Sequence, residues 1–570
     1  MHKARFTLLL LLTVALSMAS SAQEAPRIAD VDEYLSRAAA FGFSGGVAVM
    51  HKGELVLERG YGMGDRAKRE PITPATLFDV GSITKTYTAM AIHRLIDQGK
   101  LSLDDTLGKF FPDAPDDKKG ITISQMMTHT AGLPLYSGDD YVLSTREEMV
   151  RQTLGDKLTS PPGTKWAYSN TAYQLLTVMI EDLTGKPYEQ HIHEQFLKPA
   201  GITHTGYVIP NFLDQPVAQG YQGATADGSP LQKTWYGDGP SWNLRGAGGF
   251  LAPLREVAIW ARTVEKASPG AKKRAWETLI PTGRTNEQMG HGWFVRTTPW
   301  GGRQFGHSGG NGYFGMNLRR FVDHDLIYVF ATNNADYNWG HESEAAMRLF
   351  GAGKKGMPPR AAAPVDPKLA GRYRLAEAVD FDLRFEEGQL VVDPAQSHEL
   401  IQVLATPKTA LTTPEARALE AKAVAVYTSI AAGDVEPLLA SLPPSVDKER
   451  ERKFWSSWSE RVQKEQGKFV SVRPLWVVES NAQGGASSDT EMQVFLRVRF
   501  EKATRLVQYV QRKDGQVAGN PPLQYPELFR FVALSPTELA TWNPYSGETR
   551  TVKVEKDALV IGAVRAVRRP

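Results

Sequence analysis

The residues of this chain whose types and order could do chemistry together stand in three places. The first is "DVGSITKTYTAMAIHRL" at Asp79–Leu95, where Ser82 opens a helical pattern and Lys85 follows three positions later. Residues three apart share one side of a helix, so the two side chains can meet. A lysine buried there loses hydration and its pKa falls, which lets it accept or relay the serine proton. The bland alternative makes Ser82 a plain N-cap and lets Lys85 reach out to water. Spacing alone does not decide, because Ser-x-x-Lys arises about once or twice by accident at this chain length. "SVDK" at Ser445–Lys448 fits equally well and is expected to be only a helix cap with a charged first turn.

The second place is "WAYSNTAYQLL", where Tyr168 and Asn170 lead into an apolar helix. A phenol beside a lysine can pass protons in both directions, and an asparagine amide can hold a substrate carbonyl. The third is "FGHSGGNGYFG", in which His307, Ser308, Gly309 and Gly310 run along a strand edge before a turn. Glycines let a substrate backbone come close and leave N–H groups to bind an oxyanion. His-x-Gly has no force alone, since "HKG" at His51–Gly53 is merely a hairpin turn. Its weight comes from standing third in order after Ser82 and Tyr168.

Definite elements must position these residues. A helix over "DVDEYLSRAAAFGF" precedes two strands that turn at Lys52-Gly53. The Ser82 helix ends before Gly99, and Thr122 with Gln125 forms a capping box. A long apolar helix ends at Gly185, and two strands flank the His324-Asp325 turn. Together they predict an α/β or α+β body over residues 27–350. The Gly-, Pro- and Ala-rich stretch 351–367 follows as a linker.

Beyond it, short alternating strands around Glu387-Gly388 suggest a small β-domain over 368–407 and 523–570, barrel-like in form. A helix capped by Thr413, a polar helix burying Trp455, Trp458 and Val462, and a half-buried strand from Met492 to Phe500 lie between. One account makes residues 408–522 an α+β cone of the SnoaL or nuclear-transport-factor kind, inserted into the β-domain; two side-by-side domains would give a similar order of elements.

Composition narrows the functional class. The chain has 570 residues, 42% hydrophobic and 23% charged, with a net charge of +3, so nothing favours a nucleic-acid partner. It has no cysteine, which removes disulfides and thiolate chemistry. Its start, "MHKARFTLLLLLTVALSMASSAQ", has the layout of a signal peptide cleaved after Ala22. The apolar run is short for a bilayer span, so a periplasmic or secreted protein without a membrane span is expected. His191 and His193 are two apart and face different ways on a helix, so they are not expected to bind metal. His129 is expected to be structural. Tyr221, Trp235, Tyr236 and Trp242 lie in a Gly-rich stretch that either rims a cleft or packs on itself.

With "SITK", "YSN" and "HSG" in that order, residues 27–350 resemble the serine β-lactamase-related, penicillin-binding-protein-like group of class C β-lactamases, D-alanyl-D-alanine carboxypeptidases, D-aminopeptidases and esterases. The flanks "TLFDVGSITKTYTA", "GKLSLDDTLGKFFPD" and "PPGTKWAYSNTAYQLL" carry the resemblance further. It implies a five-stranded antiparallel sheet flanked by helices, with a helical lobe. It also implies an acyl-enzyme at Ser82, general acid/base work shared by Lys85 and Tyr168, and substrate contacts from Asn170 and His307 to Gly310. The N–H groups of Ser82 and Gly310 would bind the oxyanion, and neither metal nor cofactor would take part. The substrate would be a small molecule or peptide carrying an amide, peptide or ester bond. His307 departs from the lysine many members carry, which weakens the case for strong β-lactamase activity, although a neutral imidazole could still donate one hydrogen bond. The competing reading is a catalytically silent scaffold whose C-terminal domains bind a ligand or partner.

Overall fold

The computed structural model describes residues 25–569, except 213, 223–224, 234, 267, 278, 285, 299–301, 377–378, 394–395, 444–447, 482–489, 513–514, 516, 518–528 and 545. The signal-peptide segment 1–22 lies outside the described residues, as do Ser445 to Asp447 of the second Ser-x-x-Lys. No helix among the described residues is long and apolar enough to cross a membrane.

Turn chemistry sets the frame of the first body. Helix α1 (Ile28–Ala39) leads into β1 (Gly45–His51) and β2 (Glu54–Tyr61). Lys52 and Gly53 join these strands with φ of 52° and 85°, the left-handed pair that a two-residue hairpin demands. Strands β3 (Ile280–Pro281), β4 (Glu287–Met289), β5 (Phe294–Thr297), β6 (Arg303–Gly310), β7 (Gly315–Phe321) and β8 (Leu326–Thr332) complete an antiparallel sheet. Its order is β3-β4-β5-β6-β7-β8-β1-β2, so the chain's first hairpin closes on its last long strand. The sheet therefore has eight strands where five were expected. Short, two- to four-residue β3, β4 and β5 extend the edge beside β6, and runs this brief leave little periodicity to detect.

Helices α2 (Thr84–Asp97) and α3 (Asn170–Thr184) pack together in the lobe on one side of the sheet. Thr122 and Gln125 form the capping box expected of them. Gly185 closes α3 at φ 65°, as the C-terminal glycine rule requires. The largest apolar core joins α2 and α3 to the sheet through Tyr87, Ile92, Leu176, Met316 and Val329. On the opposite face, α1 and α4 (Ala335–Arg348) cover Val47, Val49, Tyr328 and Phe330.

The C-terminal part contains a closed barrel. Strands β9 (Gly371–Ala376), β10 (Val379–Glu386) and β11 (Gln389–Val392) join β15 (Phe529–Ser535), β16 (Glu538–Trp542), β17 (Thr549–Glu555), β18 (Ala558–Ile561) and β19 (Val564–Arg568). Between β11 and β15 the chain forms a separate sheet of β12 (Phe469–Asn481), β13 (Thr490–Phe500) and β14 (Thr504–Arg512). Helices α5 (Pro414–Ala431) and α6 (Lys448–Gln466) pack on that sheet. Thr413 caps α5 by accepting from Ala416 N. Strand β13 is not half-buried as its alternation suggested. Val494, Leu496, Val498 and Phe500 face the helices, but Phe495 on the other face stacks on Trp476 at 5.3 Å in the barrel's apolar cluster.

Segment 351–367 is strapped down at several points. Arg360 pairs with Glu33, Ala362 N donates to Ala533 O at 2.8 Å, and Val365 is buried in the barrel cluster. The barrel also rests on the back of the large sheet. Trp542 fits among Tyr34, Phe41 and His341, with ring centroids 6.2, 6.0 and 5.6 Å away.

Candidate active site

Ser82 lies in a single 3-10 turn, Gly81–Ile83, that feeds directly into α2. Gly81 takes φ 51° there, and Asp79 holds the turn by accepting from Gly81 N at 2.7 Å. The other oxygen of Asp79 accepts from Asn311 Nδ2 at 2.9 Å, which ties the turn to the β6–β7 connection. Burial pushes the Asp79 carboxyl up to about 6, against those two hydrogen bonds.

Strand β6 touches this turn backbone to backbone. A Cβ on Gly309 would lie 1.9 Å from Val80 O and 2.9 Å from Ser82 N; one on Gly81 would lie 2.5 Å from Gly310 N. Neither position has room for a side chain, so the glycines bring the N–H-bearing edge of β6 up to Ser82.

Lys85 does not reach out to water. It is fully buried, and its ammonium donates to Ser82 Oγ at 3.1 Å and to Ala247 O at 2.6 Å. Its Nζ lies 5.0 Å from the Tyr168 ring centroid and 5.7 Å from that of Tyr173. Burial pulls Lys85 down to about 7, and the charge of Asp140 opposes that fall. Burial pushes the Tyr168 phenol well up, with Ser82 working the other way. The Tyr168 hydroxyl itself has no hydrogen-bond partner. Its ring lies 4.2 Å from that of His129, whose Nδ1 accepts from Ser169 N at 3.1 Å. His129 thus positions the Tyr-Ser-Asn step, in keeping with a structural role.

Asn170 is the first residue of α3, and Ser169 caps that helix by accepting from Ala172 N at 3.2 Å. The Asn170 side chain is buried with Oδ1 unpartnered. His307 is buried on β6 and is pulled down to about 3, first by burial and then by Lys85, so the ring is neutral. Its Nδ1 lies 2.7 Å from Ser308 O, and facing a carbonyl it must be the N–H donor. The one hydrogen bond a neutral imidazole could donate is therefore already used. The unpartnered Nε2 is an acceptor.

The structure thus brings Ser82, Lys85, Tyr168 and the strand His307–Gly310 together, with Asn170 two residues beyond Tyr168. It adds Asp79, Asn311 and Asp140, which the sequence reading passed over. Asp79 had a local signal, an acid two residues ahead of a glycine that must turn. Asp140 sits in a loop without periodicity and had none. The aromatic stretch packs mainly against the rest of the domain and not on itself. Tyr221 is buried and accepts from Arg66 N at 2.7 Å, Trp242 packs on Met149 and Val178, and Trp235 meets Tyr207 edge-on. The side chain of Tyr236 lies outside the described residues. His191 is buried and His193 is half-buried, and no group of three or more His, Asp or Glu placed to hold a metal ion occurs among the described residues.

The model of a protein family described as Beta-lactamase matches residues 31–352, more than half of the chain and the whole of the region holding these residues. The chain belongs to the Beta-lactamase family. Penicillin-binding protein 4* of Bacillus subtilis (strain 168) is 26% identical over 337 residues, which cover 54% of this chain and 73% of that protein. Protein flp of Staphylococcus aureus (strain COL) is 33% identical over 189 residues, 31% of this chain and 38% of its own length. Among solved structures, D-amino acid amidase from Ochrobactrum anthropi SV3 complexed with D-phenylalanine aligns with a TM-score of 0.49 at 22% identity, over 57% of this chain and 98% of that one. SurE with D-Leu aligns with a TM-score of 0.47 at 24% identity, over 64% and 85%. The barrel and the unit inserted in it lie outside the family match.

Proposed function

We propose that this member of the Beta-lactamase family is an exported serine hydrolase that cleaves an amide, peptide or ester bond through an acyl-enzyme at Ser82. One observation carries the reading: a fully buried lysine, pulled down to about 7, is hydrogen-bonded to a serine oxygen. An amine in that state is partly neutral near pH 7 and can accept a proton. Tyr168, pushed the other way, keeps its proton. Lys85 is therefore the first base and Tyr168 the group that hands a proton to the leaving group.

In the first step Ser82 Oγ bonds to the substrate carbonyl carbon while its proton moves to Lys85 Nζ. The N–H groups of Ser82 and Gly310 stabilise the oxyanion, and Asn170 holds the substrate amide. Collapse breaks the bond to the leaving group, which takes a proton from Tyr168, and Lys85 restores that proton. Water then attacks the acyl carbon and gives its proton to the same pair; collapse breaks the bond to Ser82 Oγ, which takes that proton back, and the acid leaves.

His307 supplies no fixed cation for a substrate carboxylate, which supports peptidase- or esterase-like substrates over β-lactams. Residues 27–350 form the hydrolase, 351–367 the linker, and 368–407 with 523–570 the barrel that receives a cone-like unit at 408–522. Residues 1–22 direct export to the periplasm or medium. Intact-mass measurement with a fluorophosphonate and a fluorescent penicillin tests the catalytic reading. A fluorophosphonate adduct on Ser82 that Ser82→Ala abolishes is expected, with little or short-lived penicillin adduct. No adduct from either reagent overturns it.

A further inference from the structure

Lys85 is held from behind by backbone, and that backbone is itself held. The lysine donates to Ala247 O at 2.6 Å as well as to Ser82 Oγ at 3.1 Å. Ala247 stands between Gly246 and Gly248, and one hydroxyl grips both neighbours. Gly246 N donates to Tyr207 Oη at 2.9 Å, and Tyr207 Oη donates to Gly248 O at 3.0 Å. The phenol thus spends a lone pair and its proton on the two residues that flank the carbonyl. Thr88, one turn beyond Lys85 on α2, adds a third hold by donating from Oγ1 to Gly246 O at 2.7 Å.

This stretch has little else to fix it. Gly246 takes φ 70° and Gly249 φ 85°, and a Cβ on Gly246 would lie 1.7 Å from Thr177 Oγ1. Glycine keeps the most backbone freedom of any residue, and a run of them brings few side chains to pack. Tyr207, by contrast, is buried, and its ring centroid lies 4.5 Å from that of Phe250 and 6.3 Å from that of Tyr188. Its main chain is anchored too, because Glu189 Oε1 accepts from the N–H groups of Tyr207, Val208 and Ile209. A buried phenol with two hydrogen bonds is ordinary in a core. This one differs in that both bonds converge on the residue whose carbonyl Lys85 uses.

We propose that Tyr207 is a positioning residue for the Ser82 reaction: by gripping Gly246 and Gly248 it aims the Ala247 carbonyl at Lys85 and fixes where the amine nitrogen stands. The inference rests on the acyl-enzyme reading above and adds what orients its base. An amine that gives one N–H to Ala247 O stays in place, with its lone pair free to meet the Ser82 proton. The carbonyl also accepts more strongly from an ammonium than from an amine, so it favours the charged form and works against burial. Letting it swing away has two linked effects: the amine is less well placed, and its pKa falls further. Of the other titratable groups facing Lys85, His129 and His307 are neutral, and burial keeps Tyr168 and Tyr173 protonated. Asp140, pushed up to about 7 by burial, changes charge over the same range in the variants as in the wild type.

The test measures the second-order rate of Ser82 labelling by a fluorophosphonate from about pH 5 to about pH 9, in the full mature chain. That step forms the P–O bond to Ser82 and releases fluoride while the proton goes to Lys85, so no leaving group draws on Tyr168. Tyr207→Phe is expected to lower the plateau rate about tenfold or more and to move the acid limb about half a unit or more toward lower pH. Tyr328→Phe is the control. It deletes a buried phenol that donates to Glu342 O at 3.2 Å on the other face of the sheet, and its limb should coincide with the wild type's. A Tyr207→Phe profile equal to the wild type's overturns the inference and leaves the hydrolase reading standing. So does a lower plateau with an unmoved limb, which is what a merely structural tyrosine would give, or an equal shift in Tyr328→Phe. A wild-type chain that the fluorophosphonate does not label overturns both. Should Tyr207→Phe fail to fold, Thr88→Val, which releases Gly246 O from the same segment, decides by the same two readings.

Discussion

The hydrolase body and the C-terminal barrel region treat buried polar groups differently. Both have apolar cores, and both leave some buried polar atoms without hydrogen bonds. In the barrel region such atoms are scattered, as with His398 Nδ1 before β12 and Thr541 Oγ1 on β16. In the hydrolase body Tyr168, Asn170, His307, His129 and Asp140 gather around one serine and one buried lysine. A lone unpartnered hydroxyl costs a kcal/mol or two and can be tolerated anywhere in a large core. A concentration of them is expensive in one place, and such concentrations mark sites that a ligand completes.

The sharpest way to break this contrast is at the serine. Ser82→Ala should lower turnover by at least about a thousandfold, with full loss of covalent labelling. A similar loss from any single barrel substitution would erase the distinction. Next is Gly309→Ala, whose new methyl must displace Val80 O from 1.9 Å. That pries β6 from the Ser82 turn, and a ten- to thousandfold loss in kcat/KM is expected, with a stability cost of about 1–3 kcal/mol by chemical denaturation.

A tenfold effect per pH unit comes from Lys85. With its pKa near 7, the acylation rate should fall about tenfold for each unit below that value, as the protonated amine ceases to be a base. Stability carries the same signature with a definite sign. An exposed lysine titrates near about 10.4, so between pH 7 and 10 the unfolded chain binds more protons than the folded one. Wild-type stability relative to Lys85→Met should therefore rise over that interval, as melting midpoints across a pH series would register. The smallest effect is Thr541→Val in the barrel. It removes an unpartnered buried hydroxyl, so activity should stay within about twofold and stability should hold or rise slightly.

Local chemistry made much of this legible in the sequence. Lys52-Gly53, the Thr122–Gln125 box, Gly185 and Thr413 each act on their own neighbours, and each is where it was expected. Ser82 and Lys85 were readable because one helical turn fixes their meeting. What escaped depends on distant partners. Short strands β3 to β5 exist because β6 offers them an edge, and Phe495 is buried because the barrel covers the face it occupies. The tautomer of His307 is set by the carbonyl of its own neighbour, which depends on how β6 lies. Asp140 takes its meaning from a loop anchored about a hundred residues downstream, at Ser241 and Asn243.

Trp542 has a practical consequence for anyone cutting this protein. The family match stops at residue 352, which invites expression of the hydrolase alone. Yet Trp542, Val532 and Ala540 belong to the same apolar cluster as Tyr34, Phe41 and Phe43 on the back of the large sheet. A fragment ending at 352 would bare that patch to water and should aggregate or shed stability, because exposed apolar faces of this kind seek another surface. Truncation at the homology boundary would thus remove a structural cover along with the barrel.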